Sequence, residues 1–210
     1  MTLAAAVDTR AGPAARREHI LDAAETCFAR NGFHRTTMQD LAREAAMSPG
    51  NVYRYFDSKE ALVLGLVERE RERGLHLVAE MEGSGDQRGA LLSIIARYFV
   101  SVTREAAILR VEIWSESTRN PAIAAMTERT ESETRAWFVD TLSALATAPD
   151  CDPEALYVLL APLMRGIVVG RAALPGFDVA AAVAQLHALL DAGLDGRLPR
   201  PGDARSPAVR

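Results

Sequence analysis

Cysteine is nearly missing from this chain. Cys27 and Cys151 are its only two, far apart and without a second metal-type ligand at short spacing, so neither a disulfide framework nor a zinc site is indicated. Charged residues interrupt every hydrophobic run well short of the roughly 18 residues a membrane span needs. No membrane span and no membrane partner are expected. The stretch MTLAAAVDTRAGPAARRE lacks the charged start, apolar core and cleavage site of a secretory signal, which makes the cytoplasm the expected location. Strand-like alternation is absent too. So are the glycine-lysine phosphate loop, the H-E-x-x-H zinc motif, the G-x-S-x-G elbow and the dinucleotide glycine fingerprint. His19, His34, His76 and His187 are scattered and read as surface or core residues. Glu112 and Glu116 lie four apart on one helical face, where acid–base chemistry is conceivable, but such pairs are common. The expectation is a protein that is not an enzyme and carries no cofactor and no metal.

Positive charge is also in short supply. The net charge is -4, which at first argues against a nucleic-acid partner. Its distribution matters more. Residues 1–60 carry eight basic and eight acidic side chains, so the N-terminal part is neutral and the remainder holds the whole deficit. A neutral head can bind DNA if its few cations and helix starts meet phosphates, but it forgoes a broad electrostatic stripe.

What is present is a chain of 210 residues, 49% hydrophobic and 25% charged, enough for a sizeable core. It is organised around Thr36–Ala61. Thr37 and Asp40 form a Thr-x-x-Asp start, in which the hydroxyl caps free amides and the acid sits in the first turn. Met38, Leu41, Ala42 and Ala45 recur at helical spacing. Ser48-Pro49 opens a second helix, with a cap followed by a proline whose missing amide costs nothing there. Val52 and Phe56 point into a core, while Asn51, Arg54 and Tyr55 point largely elsewhere. Two short helices with a tight turn, the second polar outside, match a helix-turn-helix reader. An ordinary helical hairpin has the same periodicity, and the pattern alone leaves both readings open.

The residues Thr36-Thr37, Leu41-Ala42, Ala45, Met47-Ser48, Gly50, Val52-Tyr53, Tyr55-Phe56 and Ser58–Leu62 resemble the DNA-binding signature of the TetR family of transcriptional regulators, over about 17–66. Ala46 departs from the glycine usual in the turn, so a residue that reaches positive φ only at a cost stands there. Gly50 allows close approach to a duplex and Asn51 can hydrogen-bond a base edge, and the family uses both positions in that way. Tyr53 offers a ring to a thymine methyl or a hydroxyl to a phosphate. Arg54 suits a guanine edge or a phosphate, and Tyr55 a phosphate. Arg54 stands where the family often has histidine, so base preference does not carry over. Thr37, Ser48 and Lys59 sit at helix starts, which favour an anion but also need capping.

Beyond this head the spacing predicts an all-α chain of about nine helices. The expected divisions are a flexible arm over 1–12, a three-helix DNA-binding domain over 13–60, a helical ligand-binding and dimerisation domain over 61–195, and a disordered tail over 196–210. Residues 59–82 read as one long helix whose charge run, Glu68 to Arg73, is expected to be a solvated face. The helices near 154–174 and 179–194 are apolar on more than one face and predict a homodimer through a four-helix bundle.

The resemblance further implies a double-stranded DNA operator as partner, and a small-molecule effector that releases a repressor from it. Tyr98, Trp114, Met126, Trp137, Tyr157 and Met164 are the candidate effector contacts, each of them also a candidate core residue. The competing expectations are an all-helical protein-interaction module and an unrecognised helical enzyme.

Overall fold

The computed structural model describes residues 12–82 and 85–198. The expected arm and tail fall outside these residues, apart from Gly12 and residues 196–198. Among the described residues there are helices and no strand, in the order α1 (Pro13–Asn31), α2 (Met38–Glu44), α3 (Pro49–Tyr53), α4 (Lys59–Glu82), α5 (Gln87–Ile95), α6 (Arg104–Ser117), α7 (Pro121–Leu145), α8 (Pro153–Ala173) and α9 (Val179–Leu194). A π-helical turn, Ala96–Val100, continues α5.

Local chemistry explains most boundaries. Gly32 adopts φ +80° and its N–H reaches back to Phe28 O, closing α1. Thr37 accepts from Asp40 N while the Asp40 carboxylate accepts from Thr37 N at 3.0 Å, a complete capping box for α2. Ser48 caps α3 through Asn51 N. Asp86, Asp152 and Asp178 cap α5, α8 and α9 through the amide three residues on.

The contacts divide the chain into two compact units. The first holds the described residues up to Arg71 together with Ile108–Thr127, and the second holds Glu72–Ala107 and the described residues from Glu128 onward. The division falls inside α4, α6 and α7, so each of these helices contributes to both.

In the first unit Ile20, Leu21, Ala24 and Phe28 of α1 pack with Leu41 of α2, Val52 of α3 and Leu62 and Leu66 of α4, and Leu109 and Ile123 complete the cluster. Phe56 follows α3 into the same core. One expectation is corrected here. The Glu68–Arg73 run is not a wholly solvated face, because Arg69 is only 4% exposed. It follows Leu62 and Leu66 on the buried side of α4, its stem lying among apolar groups while its guanidinium pairs with Asp22 (2.7 Å) and Glu25 (2.6 Å) of α1. Helical periodicity carries position 69 inward whatever its charge.

In the second unit Leu91 and Ile95 of α5, Phe138 and Leu142 of α7, Leu156 and Leu160 of α8, and Val183, Leu186 and Leu190 of α9 form the core. Its α8 is long and apolar enough to cross a membrane by length and composition, although Glu154, Arg165 and Arg171 interrupt it as the sequence showed; half of its apolar window is buried within the protein.

Candidate nucleic-acid interface

The polar residues of α3 stand outward as their spacing requires. Val52 is fully buried and Phe56 nearly so, which leaves Gly50, Asn51, Tyr53 and Arg54 exposed around the rest of the turn. Among the described residues nothing hydrogen-bonds the side chains of Asn51 or Tyr53, and Tyr53 is 52% exposed despite its ring. Arg54 lies over the Tyr55 ring at 5.7 Å, and Tyr55 itself is half-buried against the first core, leaving less of it to meet a partner.

Gly50 is the most informative of these. A Cβ placed on it would meet no atom of the chain within 4 Å, and its φ is not in the left-handed region. Glycine inside a helix costs about 1 kcal/mol relative to alanine, and nothing within the protein returns it.

The three helix-start residues divide. Thr37 and Ser48 are exposed and serve as caps. The Asp40 carboxyl is held below its ordinary value by the hydroxyl and amide of Thr37, with Arg43 at 3.0 Å adding to this, so the capping box persists to lower pH than an unassisted carboxylate would allow. Lys59 also holds its own chain. Its ammonium donates to Phe33 O at 2.8 Å and His34 O at 3.4 Å and sits 4.6 Å from the centre of the Phe33 ring. It fastens the α1–α2 connection.

His19 and the pair Glu112 and Glu116, to which the sequence assigned no role in the DNA-binding part, also hold the head. His19 of α1 bonds Ala45 O at 2.9 Å, beside the turn, where Ala46 has φ +50°. The alanine thus takes the left-handed conformation usually left to glycine. Glu112 of α6 accepts from Phe33 N at 3.2 Å, and Glu116, four residues on, lies 3.5 Å from His34 Nε2. The pair Glu112 and Glu116 therefore grips the α1–α2 connection. Its spacing was legible, but its partners, about eighty residues away, were not.

The six candidate effector contacts divide between the units. Trp114 is half-buried in the first unit, and Met126 packs there against the core. In the second unit Tyr157 and Met164 are buried in the core, and Trp137 stacks edge-on to Phe138 at 5.1 Å. Tyr98 lies in the π turn, with its hydroxyl against α4 where a Cβ on Gly74 would come within 2.7 Å. Burial raises the Tyr157 hydroxyl well above its ordinary pKa, and the Glu131 carboxylate, which accepts its hydrogen bond at 2.9 Å, adds to this. Among the described residues no group of His, Cys, Asp and Glu is arranged to hold a metal.

With this geometry in place, known proteins supply the comparison. Residues 20–66 match the model of the bacterial regulatory proteins of the tetR family, and residues 87–195 match the C-terminal model of BetI-type transcriptional repressors. The chain belongs to the TetR family. Within that family it is similar to the HTH-type transcriptional regulator UidR of Escherichia coli, 39% identical over 114 residues, which cover 52% of this chain and 56% of UidR. The match thus spans little more than half the length of that relative. Salmonella enterica GusR is 27% identical with a TM-score of 0.65, covering 88% of this chain and 100% of GusR. A transcriptional regulator from Saccharomonospora viridis, solved in complex with choline, shares the fold at a TM-score of 0.74 and 22% identity, covering 85% of this chain and 96% of that one. The TetR assignment thus rests on both ends of the chain, and the outward row on α3 occupies the family's N-terminal helix-turn-helix.

Proposed function

We propose that this TetR-family chain is a DNA-binding transcriptional repressor that acts in the cytoplasm as a homodimer and leaves a palindromic operator when a small apolar effector binds. The observation that carries the DNA reading is Gly50, a helical glycine with nothing of its own chain nearby, next to the exposed side chains of Asn51 and Arg54. Asn51 and Arg54 read base edges, Tyr53 takes a thymine methyl or a phosphate, and Tyr55 takes a phosphate. The N-termini of α2 and α4, at Thr37 and Lys59, and the cap at Ser48 face backbone phosphates. Repression, rather than activation, is favoured by the C-terminal match to BetI-type repressors.

The dimer reading rests on α8 and α9. Val158 is 60% exposed and Val169 44%, and Leu159, Leu163 and Gly166 share that outward side. On α9 the exposed positions include Ala181, Ala184 and Ala188. A large apolar surface beside small side chains suits close packing against the same pair from a second copy in a two-fold four-helix bundle. Because α4, α6 and α7 each run from one unit into the other, an effector held among Tyr98, Trp137, Tyr157 and Met164 can bias the spacing of two heads, provided it favours one state.

Binding to duplexes selected from a random-sequence pool tests the reading. The affinity should fall with salt by about 0.9 log units per phosphate contact per log unit of salt. Asn51→Ala and Arg54→Ala should each relax sequence discrimination. Unchanged discrimination in both variants would remove the base-reading assignment.

A further inference from the structure

We propose that His19 is a positioning residue for the recognition helix: its imidazole holds the peptide unit between Ala45 and Ala46 and so keeps the α2–α3 turn in its left-handed form. The turn is a Schellman motif. Met47 N–H bonds Ala42 O at 2.8 Å and Ala46 N–H bonds Arg43 O at 3.1 Å, with Ala46 at φ +50°. Glycine is the usual residue at that place because a Cβ opposes the conformation. The easiest relaxation for an alanine is rotation about its N–Cα bond toward the right-handed value near -63°, which would run α2 on by further residues. That rotation swings the Ala45–Ala46 peptide plane relative to Met47 and Ser48.

His19 holds this plane. Ala45 is fully buried, and its carbonyl accepts from His19 Nε2 at 2.9 Å. A carbonyl only accepts, so Nε2 carries the hydrogen. The stretch of α1 that carries the imidazole is anchored in turn, since Ile20 and Leu21, next to it, are fully buried in the first core. Ser48 and α3 come directly after this turn, so the orientation of Asn51, Tyr53 and Arg54 depends on the angle it sets. The inference rests on the proposed DNA contact only for its consequence, not for the tie itself.

Two measurements separate the two. Hydrogen exchange of the Met47 amide should quicken about tenfold in His19→Ala, while that of Ala24 in the middle of α1 stays unchanged. Affinity for duplexes selected by the wild-type chain should fall about tenfold in His19→Ala. In the Ala46→Gly background, where glycine holds the turn unaided, the same change should cost about twofold or less. His19→Gln, whose amide can still donate, should keep most of the affinity and cover the case in which His19→Ala does not fold. Equal losses in both backgrounds, or an unchanged Met47 rate, would overturn the proposal. Failure of the wild-type chain to select any duplex would refute the DNA reading alone, and the Met47 rate would then decide the tie.

Discussion

The two outward faces of this protein are built on opposite principles. On α3 the exposed groups are polar and the short helix is tied down by a cap, a histidine bond at the preceding turn and the lysine clamp at the next helix start. On α8, a helix of 21 residues capped by Asp152, the exposed large side chains include Val158, Leu159, Leu163 and Val169. A face whose energy comes from directed hydrogen bonds must hold its donors within a fraction of an ångström. A face whose energy comes from apolar area tolerates small displacements, because burial is non-directional. The difference fits the two partners proposed above: a hydrogen-bonding one for α3 and a second apolar helix pair for α8.

The strongest way to break the comparison is to charge the apolar face. Val158→Glu with Val169→Glu should weaken self-association by about a thousandfold or more, roughly 4 kcal/mol, because carboxylates would be buried without partners. Analytical sedimentation at micromolar concentration would then show monomers. A wild-type chain that is already monomeric would remove the bundle instead.

Stranding Arg69 comes next. Asp22→Asn with Glu18→Gln and Glu25→Gln takes away all three anions paired with a buried guanidinium and should cost about 3 kcal/mol of stability in denaturant unfolding. Arg69→Met, which removes the charge as well, should cost clearly less. Equal costs would show that packing of the stem, not the charge pairing, holds α4 to α1.

Gly50→Ala sharpens the comparison on the polar side. It should raise Tm by about 2–3 °C, since helix propensity improves and no atom of the chain is in the way. Affinity for a selected duplex should nevertheless fall about tenfold. A variant that gains stability and keeps its affinity would mean that nothing approaches Gly50.

Tyr157→Phe is the smallest effect, about 1 kcal/mol at neutral pH for the lost bond to Glu131. Its pH dependence is more telling. Burial raises the hydroxyl in the folded chain above its unfolded value near 10, so its contribution is complete below pH ~10. As pH rises further the unfolded chain ionises first and stability is lost. The variant should lack that alkaline decline in thermal unfolding at a series of pH values.

Legibility in the sequence followed the range of the interactions. The capping box at Thr37 and Asp40, the Ser48-Pro49 start and the apolar spacing of α8 and α9 involve residues within a few positions of one another, and each was readable. The outward direction of Asn51 and Arg54 followed from the inward one of Val52. Arg69 was misjudged because a charge run usually marks water, and only the packing of α1 on α4 turns one member of the run inward. The bonds from Lys59 to Phe33 O and His34 O were not legible, because they join residues about 25 apart.

The order of helices, their caps, the polar row on α3 and the odd alanine in its turn were determined by the sequence itself, because backbone propensity and helical periodicity act over one or two turns. The clamps that hold the head were decided only in three dimensions: His19 on Ala45, Lys59 on Phe33, Glu112 on the Phe33 amide and Arg69 between two acids. Each joins residues roughly 25 or more apart, and which of many possible donors meets a given carbonyl or carboxylate depends on how whole helices pack.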